Sequence, residues 1–126
     1  MDFRDLVSDK DGKLRIVQEL VPGKQITLAH IIACPDPIMY QKLGLNPDID
    51  FSGSAIGILT VSPAETAIIA ADIATKSGNI DLSFVDRFSG TLIITGLISD
   101  VESALKAICD YASERLGFTV CDISRT

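Results

Sequence analysis

The sequence predicts an α+β domain, with a ferredoxin-like β-α-β-β-α-β core over residues 55–123 and an added strand and short helix ahead of it. Three observations carry this expectation. Residues 80–98, IDLSFVDRFSGTLIITGLI, begin with Ile80, Leu82 and Phe84 alternating against Asp81 and Ser83, and end in a run, 92–98, that is apolar on both faces. Between these lies Asp86-Arg87-Phe88-Ser89-Gly90-Thr91, short enough only for a hairpin turn in which Gly90 is free to take a positive φ. On either side of the hairpin is a stretch of helical periodicity that opens on Ser-x-x-Glu and closes at a glycine.

Taken in order, residues 1–13 are polar with alternating charge and read as a mobile arm. Residues 14–21, LRIVQELV, read as a strand with Leu14, Ile16, Gln18 and Leu20 on one face and Arg15, Val17, Glu19 and Val21 on the other. Pro22-Gly23 ends it, and a strand of that length needs a partner from its own fold or another copy. The domain proper is expected over 22–126. Residues 26–33 form its first strand, with the lone His30 read as a neutral structural imidazole bonded at a strand edge. Pro35 and Pro37 open a short helix over 37–43, which Gly44 closes, and 46–54 is a loop.

Residues 55–61 form an apolar strand in which Gly57 signals close approach. Ser62-Pro63-Ala64-Glu65 is then expected to cap a helix reaching Ser77, with Ala64, Ala67, Ile68, Ala71 and Ala74 as its small-residue face and Gly78 as its stop. After the hairpin, Ser99-Asp100-Val101-Glu102 is expected to cap a second helix, on which Val101, Leu105, Ile108, Ala112 and Leu116 recur before Gly117. Residues 118–123 read as a last strand. It and the strand at 26–33 compete for one place in the sheet.

Composition narrows the function. A hydrophobic content of 47% supports a real core, whereas 6% aromatic residues and no Trp suit tight helix-on-sheet packing better than an aromatic-lined cavity. A formal charge of −6 argues against binding nucleic acid or an anionic membrane. No leader-like pattern opens the chain and no apolar run reaches spanning length, so a cytoplasmic setting is expected. Cys34, Cys109 and Cys121 make neither a CxxC pair nor a disulfide framework and are read as buried reduced thiols. One His, scattered acids and no phosphate-binding glycine loop give no catalytic cluster, no metal site and no call for a cofactor. An enzyme is not expected.

Several strings make the family recognisable: Val21-Pro22-Gly23-Lys24-Gln25 leading into Thr27-Leu28-Ala29-His30, then Ala55-Ile56-Gly57-Ile58, and Phe84-Val85-Asp86-Arg87-Phe88-Ser89-Gly90. Over about residues 14–126 the chain resembles shell proteins of bacterial microcompartments, in particular the circularly permuted BMC-domain tiles of ethanolamine-, propanediol- and choline-utilising organelles. The strand and helix at 26–43 resemble the end of an ordinary tile, moved to the front.

That resemblance implies a structural homohexamer that tiles with other shell proteins into a facet. It implies that Arg87, Phe88, Ser89 and Gly90 line a central pore and that Lys76 matches an edge lysine contacting the next tile. Residues 14–21 would then pair around the axis as a small barrel, filled by Leu14, Ile16, Gln18 and Leu20, and such a cap would suit docking of a cargo-enzyme encapsulation peptide. The sequence departs from ordinary tiles in carrying Cys34 where an arginine is usual and Phe88 in place of a run of glycines. The alternative weighed is a small-molecule-sensing regulatory module on a ferredoxin-like fold.

Overall fold

Alternating apolar positions and β-branched residues build one five-stranded sheet. The computed structural model describes residues 23–45 and 53–126. Its elements are β1 (Gln25–Ile32), α1 (Ile38–Lys42), β2 (Ala55–Ser62), α2 (Thr66–Ser77), β3 (Ile80–Asp86), β4 (Thr91–Gly96), α3 (Ile98–Arg115) and β5 (Ser124–Arg125). The expected arm at 1–13 and strand at 14–21, with Leu14, Ile16, Gln18 and Leu20, lie outside the described residues, as does most of the loop at 46–54.

The sheet order is β3-β4-β2-β1-β5, with β2 antiparallel to both its neighbours and β5 parallel to β1. Leu59 and Val61 of β2, with Leu92 and Ile94 of β4 and Ala29 and Ile31 of β1, face α2 and α3 in one core cluster. On the opposite face, among the described residues, Tyr40 and Leu45 pack on Ile56, with Ile58 and Ile93 against them. Tyr40 also donates its hydroxyl to the Ser54 carbonyl at 2.8 Å, which satisfies the polar tip of a buried ring.

β1, not the C-terminal segment, takes the place beside β2. The strand expected at 118–123 is reduced to one bridge, Thr119 with Gln25, and the ladder forms only at Ser124 and Arg125, outside β1. Phe118, Val120, Cys121 and Ile123 pack against the core cluster instead. The contest for one place is settled because the sheet position next to β2 is already filled by eight residues with a near-complete ladder.

Neither Ser-x-x-Glu segment acts as a capping box, contrary to expectation. Ser62 is the last residue of β2, paired with Gln25, and the Ser62–Pro63 bond is cis. The chain then turns through i→i+3 bonds, Thr66 N–H to the Pro63 carbonyl and Ala67 N–H to the Ala64 carbonyl, so α2 starts late and without a side-chain cap. The strand expected to reach residue 98 stops at Gly96, and the extended Leu97 is the N-cap of α3, which places Ser99 inside the helix.

The buried face of α2 is Thr66, Ala67, Ala70, Ala71 and Ala74; Ile68, expected on that face, is 52% exposed. Ala70, three residues after Ala67 and four before Ala74, falls in line with both, whereas Ile68 lies one residue round from Ala67 at the border of that face. Helix α3 buries Val101, Leu105, Ile108 and Ala112 as its periodicity requires, and both Leu116 and Phe118 donate to the Ala112 carbonyl to close it.

Gly57 meets the close approach expected of it. A Cβ there would stand 2.8 Å from Val101 Cγ1 and 2.9 Å from Ile94 Cγ1, both branched side chains locked in the core. Helix α3 thus lies directly on β2 because residue 57 has no side chain. Gly57→Ala is expected to lower stability by about 1–3 kcal/mol through overpacking, and adding Val101→Ala should recover much of that loss. Urea unfolding of the two variants checks this.

Candidate functional site

The hairpin between β3 and β4 is the most rigidly built exposed feature of the chain. Asp86 ends β3, and its carboxylate accepts the Phe88 N–H at 2.9 Å and the Ser89 hydroxyl at 2.8 Å. Those two donors, the Phe88 amide first, hold the Asp86 carboxyl below the usual carboxylate range. Ser89 Oγ also lies 3.0 Å from Thr91 Oγ1, and the Gly90 N–H donates to the Asp86 carbonyl at 2.9 Å. Asp86 therefore organises the turn of its own chain as an Asx motif.

Gly90 fastens that turn to the sheet. It is buried with φ at 76°, and its carbonyl accepts the Val61 N–H at 2.9 Å. A Cβ would collide with the Val61 carbonyl oxygen and crowd Ala64 Cα. Positive φ was legible from the sequence, but this docking on β2 was not.

What the turn presents is Arg87 and Phe88. Phe88 is 80% exposed, and the Arg87 guanidinium lies 4.9 Å from the centre of its ring, a surface cation–π contact. Beneath them is a hollow of about 310 Å³ lined by Ile68, Val85, Asp86, Arg87 and Phe88. Of the expected turn residues, Arg87, Phe88 and Ser89 project outward and Gly90 is structural. Sequence reading missed Ile68 and Val85 as neighbours of the turn. Ile68 fell on the wrong helix face, and Val85 is brought there by the β-bulge between Leu82 and Phe84. That extra residue sets Leu82 opposite the buried Ile94 but Phe84 opposite Ile93, so the two no longer share a face as strict alternation predicted.

Lys76 stands apart, in the last turn of α2. Its ammonium pairs with Asp72 at 2.8 Å, and that hydrogen bond, with the charge behind it, raises the lysine pKa. Both side chains are well exposed, so the pair orients Lys76 more than it stabilises the fold. A groove of about 370 Å³ runs beside it, lined by Ile69, Asp72, Ile73, Lys76, Ser77 and Tyr111. The structure does not bring Lys76 together with the hairpin turn in either hollow.

The remaining candidates are structural. His30 sits in β1, an interior strand rather than the expected edge, and bonds the hydroxyls of the C-terminal segment. Of the thiols only Cys109 is buried, against the expectation of three; Cys34 is exposed and Cys121 half-buried, because 34 follows the end of β1 and 121 lies on the outer segment. Burial, then the nearby Cys121 and Asp110, pushes the Cys109 thiol up to about 11, which leaves it protonated and inert near neutral pH. Among the described residues no group of three or more His, Cys, Asp or Glu is placed to hold a metal ion. No described helix is long and apolar enough to cross a membrane.

Comparison with known proteins agrees with this picture. The BMC-domain model matches residues 55–123. The bacterial microcompartment shell protein PduU of Salmonella typhimurium is 52% identical over 112 residues, covering 89% of this chain and 93% of PduU. The shell protein CutR of Streptococcus intermedius is 50% identical over 116 residues, covering 91% of this chain and 96% of CutR. A solved flat hexamer of CutR superposes with a TM-score of 0.76 at 47% identity, over 89% of this chain and 99% of that one. Because β1 and α1 precede the matched 55–123 and yet complete its sheet, the chain belongs to the BMC-domain family of bacterial microcompartment shell proteins, in its circularly permuted form.

Proposed function

We propose that this chain is a structural, non-enzymatic tile: six copies close a ring, rings join into a shell facet, and the turn at Arg87, Phe88, Ser89 and Gly90 lines the ring axis. The observation that carries this reading is the contrast within the turn. Its backbone is fixed by Asp86 and Gly90, while Phe88, at 80% exposure, meets the neighbouring Arg87 but is not packed into the core among the described residues. A rigid mount with an idle aromatic suits a constriction shared by symmetry-related copies. The flat hexamer of a relative supports the ring. With Asp86 engaged in its own turn, Arg87 is read as lying over Phe88 and pointing into water, which relieves repulsion among symmetry mates.

The same end of the sheet receives the chain from residue 22. Gln25 pairs with Ser62 and Ile26 with Val61, the residue that holds Gly90, so anything preceding β1 enters beside the turn. On the proposed ring, six copies of residues 14–21 pair laterally into a small parallel barrel over the axis. Leu14, Ile16, Gln18 and Leu20 fill its lumen, since burying every copy of Arg15 and Glu19 would carry a heavy desolvation cost. So capped, the axis is closed to metabolites and offers a docking point for a cargo-enzyme peptide. Lys76, oriented by Asp72 beside its groove, makes the tile-edge contact.

Size-exclusion chromatography with light scattering is expected to give a mass of six chains; a monomer or dimer overturns the ring. Phe88→Ala should leave that mass unchanged, whereas Asp86→Ala should loosen the turn and weaken the ring. The Asp86 contribution has a definite pH sign. A depressed carboxylate stabilises fully above its ordinary pKa and loses its effect as pH falls through the lowered one, so the difference between Asp86→Ala and parent should shrink in acid.

Lys76→Ala should keep the ring and its melting temperature but form fewer extended sheets by negative-stain microscopy; sheets like the parent's would reduce Lys76 to a solvated lysine. Deleting residues 1–21 should yield an intact ring with an unblocked axis in cryo-microscopy maps. Loss of the fold on that deletion would instead make residues 14–21 part of the sheet.

A further inference from the structure

The permuted fold leaves its C-terminal segment with little backbone pairing. Besides the two-residue ladder at Ser124 and Arg125, the backbone bonds of residues 118–126 to the β1 region are Ile26 N–H to the Thr119 carbonyl, Thr119 N–H to the Lys24 carbonyl, Thr126 N–H to the Ile31 carbonyl and Ala33 N–H to the Thr126 carbonyl. The segment touches β1 at its two ends and pairs nowhere between. One side chain bridges that weakness. His30 Nδ1 lies 2.6 Å from Ser124 Oγ and His30 Nε2 lies 2.9 Å from Thr126 Oγ1, so both ring nitrogens hold alternate residues of the same strand.

Spacing makes this grip specific. Ser124 and Thr126 are two apart in an extended strand, hence on one face, and His30 pairs directly with Ser124 in the parallel register. Hydroxyls donate or accept as needed, so both imidazole nitrogens are satisfied with the ring neutral or charged. Arg125, between them, points to the other face and reaches only a long, exposed contact with Glu102 at 3.8 Å, which fastens little. Ser124 Oγ has a second, weak acceptor in the Ala29 carbonyl at 3.4 Å.

We propose that residues 124–126 form a releasable edge strand and that His30 is its clasp, with residues 118–123 remaining packed on the core through Phe118, Val120, Cys121 and Ile123. Closed, the clasp covers the outer edge of β1. Open, it exposes that edge to pairing while the rest of the sheet stays intact, because β1 is secured to β2 by its own ladder.

Hydrogen exchange on the full-length assembled protein tests this. In His30→Leu, which keeps bulk and removes both bonds, exchange at the Thr126 and Ala33 amides is expected to quicken about ten-fold, the scale of two side-chain hydrogen bonds. The central Leu59 and Leu92 amides should not change. Ser124→Ala with Thr126→Ala, made at exposed positions, should reproduce the effect with His30 present. The proposal is overturned if the Thr126 and Ala33 amides exchange at the parent rate in both variants. It is equally overturned if Leu59 and Leu92 quicken in step with them, which would make His30 a general stabiliser of the sheet.

Discussion

Gly90 and Val61 meet backbone to backbone, with the Val61 N–H on the Gly90 carbonyl and no room for a side chain between them. This contact decides where the hairpin turn stands. β4 is paired to β2 from Ala55–Gly96 to Thr60–Thr91, and the Gly90–Val61 bond carries that pairing beyond the strand into the turn itself. Pinned to the end of the central strand, the turn inherits the rigidity of a sheet whose helix-facing side is buried through its middle, with Leu59, Leu92 and Ile94 at 0% exposure. Asp86 then completes the turn from its near side. The outward aim of Phe88 and Arg87 is thus a consequence of β2, fixed from a strand more than twenty residues away in sequence.

The chain also carries apolar surface that its own fold leaves open. Leu82, Phe84, Val85, Ile68 and Phe88 are all exposed, and they gather on the outermost strand β3, the start of α2 and the hairpin tip. An exposed, apolar edge strand is an aggregation hazard for a protein that stays alone. A relative, CutR, is solved as a flat hexamer, and packing between copies is one way in which such a surface is covered. The bulge at Leu82/Phe84 matters for this reason: it supplies apolar side chains to both faces of the edge, where plain alternation would supply one.

Much of this was legible in the sequence. The hairpin, the two long helices, Gly57 as a contact point and Gly90 as a positive-φ turn residue follow from periodicity and glycine placement. What failed were features set by tertiary competition. Ser62 reads locally as a cap, but the β1–β2 ladder claims it as strand. Ser99 reads the same way, but the turn at Leu97 starts the helix before it. Residues 118–123 read as strand, yet their place was taken and their apolar side chains were drawn onto the core. At the turn, Arg87, Phe88 and Gly90 stand out in the sequence because they break pattern. Asp86 was underrated because an Asx bond to its own backbone looks, in one dimension, like a free charge beside an arginine. The family resemblance supplied the ring and the edge, which no intrachain spacing encodes.

Circular permutation changes which end of the chain arrives where without changing which strands touch. β1 lies antiparallel beside β2, and the sheet order is indifferent to whether that strand comes first or last in sequence. The ends are not indifferent. With β1 first, that strand starts at the Gln25–Ser62 end of the sheet, next to Val61 and the hairpin turn. With the C-terminal segment last, residues after α3 find the place beside β2 full and lie outside β1, held by a short ladder, a few flanking backbone bonds, apolar packing on the core and the His30 side chain. Permutation therefore sets the start of β1 beside the turn and pushes the C-terminal segment to the sheet edge. Both consequences follow from a single strand being supplied from the front.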